Sequence, residues 1–196
     1  MIFVRGADSA IAQALSEIHP ITPVPRGDQM PNDGERYLFC VGLLRQKHVA
    51  DQTEQEIGES FEVNAGNVIR ECDRLVEVNP KARICVMGSE VAYTGSFDGA
   101  YAEAKRALHC YIETKRLKYP GQQLVCVSPS IILNTRMTNA RNTYGVRAME
   151  VRRKLHPKQR WLKPEEVARM INFLLCVDEG YTTGVVIRMN GGEHCR

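Results

Sequence analysis

The chain has 196 residues, of which 43% are hydrophobic and 25% charged, with a formal net charge of +3. That length allows one domain with a sizeable buried core, and the balance is ordinary for a soluble protein. The small net charge argues against a general nucleic-acid binder, and no apolar run approaches the roughly 20 residues of a membrane span.

Taken in chain order, Ile2-Phe3-Val4 reads as a short strand, followed by Gly6 and a helical pattern from Ser9 to Ile18. Ile21 to Val24 reads as a strand interrupted by prolines, and Tyr37 to Val41 as another. Thr53 to Val78 is helical, Ile84 to Met87 a strand and Gly99 to Tyr119 a helix. Leu124 to Val127, Glu165 to Val177 and Val185 to Met189 complete the series as strand, helix and strand. Short continuous apolar runs alternating with long helices indicate a parallel sheet covered on both faces. The expected fold is α/β: a single-domain, Rossmann-like, doubly wound parallel sheet in three layers.

The opening MIFVRGADSA carries neither a basic leader nor a long apolar segment, so a cytoplasmic protein is expected. The seven cysteines are Cys40, Cys72, Cys85, Cys110, Cys126, Cys176 and Cys195. None forms a Cys-x-x-Cys pair and several sit in strand-like runs, which fits reduced thiols rather than disulfides or metal ligands. Charge is uneven. Residues 136–163 hold six Arg, three Lys and one Glu, a net +8, so the remainder carries −5. The plainer reading is a solvated mobile loop and helix face; the sharper one is a basic lid over an anionic substrate.

In a doubly wound sheet, ligands bind beyond the carboxyl ends of the strands. After Val4 comes Gly6-Ala7-Asp8-Ser9-Ala10-Ile11-Ala12, a tight turn whose small residues let backbone approach a pyrophosphate. Asp8 or Ser9 would also serve as a plain helix cap. After Met87 come Gly88, Ser89 and, beyond Gly99, Tyr101 and Lys105. At four residues' spacing, the phenol and the ammonium share one helical face. The same spacing recurs at Tyr111 and Lys115, so spacing alone does not choose between the pairs.

As an ordered set, these residues resemble the short-chain dehydrogenase/reductase family. The Gly6 turn resembles its cofactor loop, and Asn64, Ser89, Tyr101 and Lys105 match its catalytic tetrad. Val125-Cys-Val-Ser-Pro-Ser resembles the segment that frames the nicotinamide, and Thr135 matches a threonine near its carboxamide. Pro164-Glu-Glu-Val-Ala and the closing Thr183-Gly-Val-Val-Ile-Arg-Met-Asn-Gly-Gly look like the family's last helix and strand.

The resemblance implies an NAD(P)(H)-dependent oxidoreductase interconverting a carbonyl and an alcohol. Tyr101 would be the acid/base, Lys105 would lower its pKa, Ser89 would polarise the carbonyl and Asn64 would hold a relay water. Tyr111 lies about 15 Å further along the helix and about 80° around it, too far to share a site with Ser89. Cofactor contacts are expected from Gly6, Asp8, Ser9, Ala10, Ile11, Arg26, Gly42, Tyr101, Lys105, Pro129, Ser130, Ile132 and Thr135. Arg26, with help from Arg5, favours NADP(H) over NAD(H), although Asp28 stands close by. A homodimer or homotetramer is expected, with a small-molecule substrate, no metal, no nucleic acid and no membrane.

Departures from the family pattern bear on cofactor affinity. Arg5 stands for Thr, Ala10 and Ala12 stand for glycines, and Cys40-Val-Gly-Leu replaces Asn-Asn-Ala-Gly. Between Val24 and Tyr37 there is no room for a helix and strand, so the adenine side is short. These changes leave open a non-catalytic NAD(P)-binding sensor or scaffold.

Overall fold

A computed structural model describes residues 1–194, apart from the side chains of residues 141–144 and 146; Cys195 lies outside the described residues. Among these, six parallel strands form one sheet in the order β2-β1-β3-β4-β5-β6. They are β1 (Ile2–Arg5), β2 (Ile21–Pro23), β3 (Arg36–Phe39), β4 (Arg83–Met87), β5 (Gln123–Pro129) and β6 (Val185–Met189). The chain steps from β1 to β2 on one side, then returns to lay β3 on the other and winds outward. Winding therefore reverses between β1 and β3, and the crevice for a ligand opens at their carboxyl ends.

The helices are α1 (Ala10–Ser16), α2 (Glu54–Phe61), α3 (Asn67–Val78), α4 (Val91–Thr94), α5 (Gly99–Thr114), α6 (Arg136–Leu155) and α7 (Pro164–Asn172). Alternate strand residues serve opposite faces. Ile2, Val4, Leu38, Cys85, Met87, Val125 and Val127 bury against α1 and α7. Tyr37, Phe39, Ile84, Val86, Leu124 and Cys126 bury against α3 and α5. Both faces are apolar, which is why these strands read as continuous runs. Each fully buried side chain, such as Leu108 or Ile112 on α5, contributes roughly 1.5–3 kcal/mol.

The connection from β2 to β3 is short, as expected: the chain runs from Pro23 to Arg36 with no intervening helix. Val24 donates its N–H to the Val4 carbonyl. The alternation along a strand then turns the Pro23 nitrogen away from β1, at an edge where a missing N–H breaks no ladder bond.

The helix expected over 53–78 is interrupted by a π turn, Glu62–Gly66, in which the Asn67 N–H reaches back to the Glu62 carbonyl. A second π turn, Phe173–Val177, ends the helix expected to reach Val177. The helix expected to reach Tyr119 stops at Thr114, because Lys115 turns to extended backbone. Within residues 136–163, Arg136–Leu155 form helix α6, whose backbone leaves helical geometry at Gly145, and the remainder up to Lys163 is turn and loop. Thr135 caps the long helix α6 by accepting the Thr138 N–H. Three ion pairs to acids outside the segment absorb part of the positive excess: Arg136–Asp8, Arg152–Glu193 and Arg160–Glu166. No helix among the described residues is long and apolar enough to cross a membrane.

Candidate functional site

At the crevice, Gly6 turns with φ +86°, and a Cβ there would stand 2.2 Å from the Cys40 carbonyl oxygen. Only glycine lets the loops after β1 and β3 approach so closely. Ser9 caps α1 through the Ala12 N–H and donates its hydroxyl to Cys40 Sγ at 3.1 Å. Burial pushes the Cys40 thiol up to about 11. Asp8 is exposed and paired with Arg136, whose guanidinium holds its carboxyl below the usual range. Ala10 begins the helix, while Ile11 and Ala12 are packed in the core beneath it. The Ala12 methyl is therefore spent on helix–sheet packing.

Arg5, at the end of β1, hydrogen-bonds the Asp28 carbonyl and lies over the Phe39 ring at 6.0 Å. Its Nε is buried with no partner among the described residues. Arg26 is exposed just before Gly27. Gly42, past β3, faces Met137 and the Asn64 side chain.

Tyr101 and Lys105 sit on the first two turns of α5, 4% and 1% exposed. Lys105 Nζ donates to the Met87 carbonyl at 2.8 Å and to Val41 at 3.3 Å, and lies 6.0 Å from the Tyr101 ring centroid. Burial lowers its pKa to about 8, so the cation still predominates at neutral pH. The second pair does something else. Tyr111 donates its hydroxyl to Asp73 Oδ1 at 2.9 Å, and Lys115 Nζ reaches the same oxygen at 2.5 Å. Burial and the Asp73 charge push the Tyr111 phenol upward. This pair clasps α3 to α5.

Asn64 is fully buried in the π turn. Its Oδ1 accepts the Leu43 N–H at 2.9 Å, and its Nδ2 donates to the Leu43 and Ser60 carbonyls, each at 2.8 Å. Ser89 lies just past β4, and its hydroxyl accepts the Val91 N–H at 3.4 Å. At the end of β5, the Ser130 N–H donates to the Met189 carbonyl and Ile132 bridges to Leu162. The Thr135 hydroxyl caps α6 and meets Thr138 Oγ1 at 3.0 Å. Pro129 is the last residue of β5 and is buried.

Three residues at the site were not singled out in the sequence. His109, one turn after Lys105, accepts the Ser89 N–H at Nε2, at 3.4 Å. A Cβ on Gly88 would stand 2.2 Å from that nitrogen, so glycine there makes room for the ring. Burial, then the Lys105 charge, lowers the His109 pKa to about 4. Glu90 is buried beside Ser89 and accepts from Arg188 Nε and Nη2, at 2.8 and 2.7 Å, and from the Asn190 amide. Asp98 is fully buried and caps α5 through the Tyr101 N–H at 3.1 Å. The spacing from Lys105 to His109, and an Asp just ahead of Gly99-Ala-Tyr, were the available signals.

A parallel sheet in this order, reversing between β1 and β3, is the doubly wound dinucleotide fold. A family model described as enoyl-(acyl carrier protein) reductase matches residues 37–194. The chain belongs to the short-chain dehydrogenase/reductase family of oxidoreductases. It is 30% identical over 120 residues to the uncharacterized oxidoreductase YmfI of Bacillus subtilis, a stretch covering 60% of this chain and 48% of that one. The match thus spans about half the length of that relative. The fold superposes on a short-chain dehydrogenase/reductase from Brucella melitensis with a TM-score of 0.82 at 20% identity, covering 100% and 96% of the two chains. A variant of ElxO with NADPH bound matches with a TM-score of 0.78 at 15% identity, covering 98% and 97%.

Proposed function

We propose that this chain is an NAD(P)(H)-dependent oxidoreductase that interconverts a carbonyl and an alcohol, with Tyr101 as acid/base. The observation that carries the reading is the Lys105 ammonium, buried 6.0 Å from the Tyr101 ring and held on the Met87 and Val41 carbonyls. A free phenol titrates near ~10. The Lys105 ammonium beside that ring would favour the phenolate over the phenol, which is what an acid/base tyrosine needs near neutral pH.

The residues at the crevice fit a nicotinamide dinucleotide. The Gly6 turn is tight, and the buried Arg5 Nε is an orphaned donor beside the end of β2. Gly6, Asp8, Ser9, Ala10, Ile11, Arg26 and Gly42 would hold its adenosine and pyrophosphate end. Pro129, Ser130, Ile132 and Thr135 would frame the nicotinamide, with Lys105 and Tyr101 beside it. Bound there, the cofactor supplies or accepts a hydride.

For reduction, Tyr101 gives the proton from its hydroxyl to the substrate oxygen, and the Ser89 hydroxyl donates a hydrogen bond to that oxygen. The Asn64 side chain is engaged with Leu43 and Ser60, so its part in a proton relay falls to its main chain. Arg26 and Arg5 support NADP(H) as the preferred cofactor. Assembly into a dimer or tetramer through α2–α3 and α5 rests on the family resemblance, and light scattering showing a monomer at micromolar concentration would refute it.

The experiment is a fluorescence titration with NADPH and NADH, then a screen of carbonyl compounds for oxidation of whichever binds. Saturable binding with turnover lost in Tyr101→Phe is expected. Binding without any turnover would overturn the catalytic reading and leave a cofactor-binding sensor.

A further inference from the structure

Three buried polar side chains grip the segment that follows β3, each at an alternate residue. Lys105 Nζ donates to the Val41 carbonyl at 3.3 Å. Asn64 bonds both the N–H and the carbonyl of Leu43. Asp98 Oδ2 accepts the Arg45 N–H at 2.8 Å. Asp98 Oδ1 meanwhile accepts the Gln52 Nε2 amide at 2.9 Å and the Tyr101 N–H at 3.1 Å. One fully buried carboxylate thus spans three anchors: the start of the 41–52 segment, its end, and the backbone of the proposed acid/base.

We propose that Asp98 is a positioning residue that locks the 41–52 segment and Tyr101 into one arrangement, so that cofactor binding and proton transfer share a single support. The proposal rests on the oxidoreductase reading for its kinetic consequence, but not for its structural one. A cap needs only one oxygen. The second oxygen, aimed at Arg45, is what a capping role leaves unexplained. An ionised carboxylate accepts at both oxygens, whereas an asparagine accepts at one and presents an NH₂ at the other. Asp98→Asn would keep the acceptor for Tyr101 and Gln52 while setting a donor against the Arg45 N–H. Asp98→Ala would remove both ties.

The two variants are therefore predicted to separate. In Asp98→Asn the cofactor Kd rises about tenfold, as for a lost hydrogen bond to a buried charge, while kcat at saturating cofactor stays within about twofold of wild type. In Asp98→Ala the Kd rises similarly and kcat also falls about tenfold. A role in stability alone would lower the melting temperature of both without parting Kd from kcat. Wild-type kcat in Asp98→Ala, or two variants with the same Kd and kcat, would overturn the proposal.

Amide hydrogen exchange judges it without any turnover. Asp98→Asn should lose protection at Leu43–Arg45 and keep it through α5, and unchanged protection at Arg45 would overturn the proposal. If the wild-type protein neither binds NAD(P)H nor reduces a carbonyl, the oxidoreductase reading fails and the exchange result alone decides the role of Asp98.

Discussion

The Lys105 ammonium and the Met87 carbonyl oxygen lie 2.8 Å apart, so the last residue of β4 holds a cation that α5 carries into the protein. Burial lowers the lysine pKa from 10.5 to about 8. Between those values the unfolded chain binds a proton that the folded one has released, so stability rises with pH across that window. Lys105→Met lacks this dependence. Its stability relative to wild type should fall by about 3 kcal/mol as pH rises from 8 to 10.5, read by urea unfolding at the two values. A pH-independent gap would mean that the ammonium is not disfavoured by burial.

Tyr101→Phe should lower kcat by about a thousandfold, within the range for general acid–base catalysis, while leaving cofactor affinity nearly unchanged. Tyr111→Phe is the control. It loses the bond to Asp73, costs about 1 kcal/mol of stability and leaves kcat within about twofold. Steady-state kinetics with chemical denaturation distinguishes the two. Equal effects of both substitutions on kcat would remove Tyr101 from the chemistry.

His109 governs the acid side. Its pKa falls from 6.5 to about 4, so acidification through that window charges the unfolded chain first and the folded state loses stability. Wild type should lose about 3 kcal/mol more than His109→Leu between pH 6.5 and pH 4. Parallel acid-unfolding curves for the two proteins would contradict this.

Arg26→Ala should weaken NADPH binding by about tenfold or more, as when a charged hydrogen bond to a phosphate is lost, and NADH binding by less than about threefold. Fluorescence titration with both cofactors reads the ratio. Equal losses would place Arg26 outside 2′-phosphate recognition.

The strands were legible because both sheet faces are covered, which makes each strand a continuous apolar run such as Leu124–Val127. The Tyr101–Lys105 face was legible because helical spacing is a local property. The segment at 136–163 was not, since its Arg-rich composition suits either a loop or a solvated helix face. Its helix begins at the Thr135 cap, and Arg136 in the first turn pairs with Asp8, 128 positions away. The burial of the Ala12 methyl was not legible either: a cofactor-loop pattern does not say which way a side chain points, and here it points into the core.

Order and spacing along the chain were thus enough for the sheet class and for the short connection between β2 and β3. Folding in space assigned the rest. Asp73 drew Tyr111 and Lys115 into a clasp across residues 38 and 42 positions apart in sequence. Glu90 found Arg188 from 98 positions away, and Asp98 reached Arg45 from 53. Glu90 and Asp98 are buried charges that need partners wherever the packed core presents them, and no local pattern encodes which donor that will be.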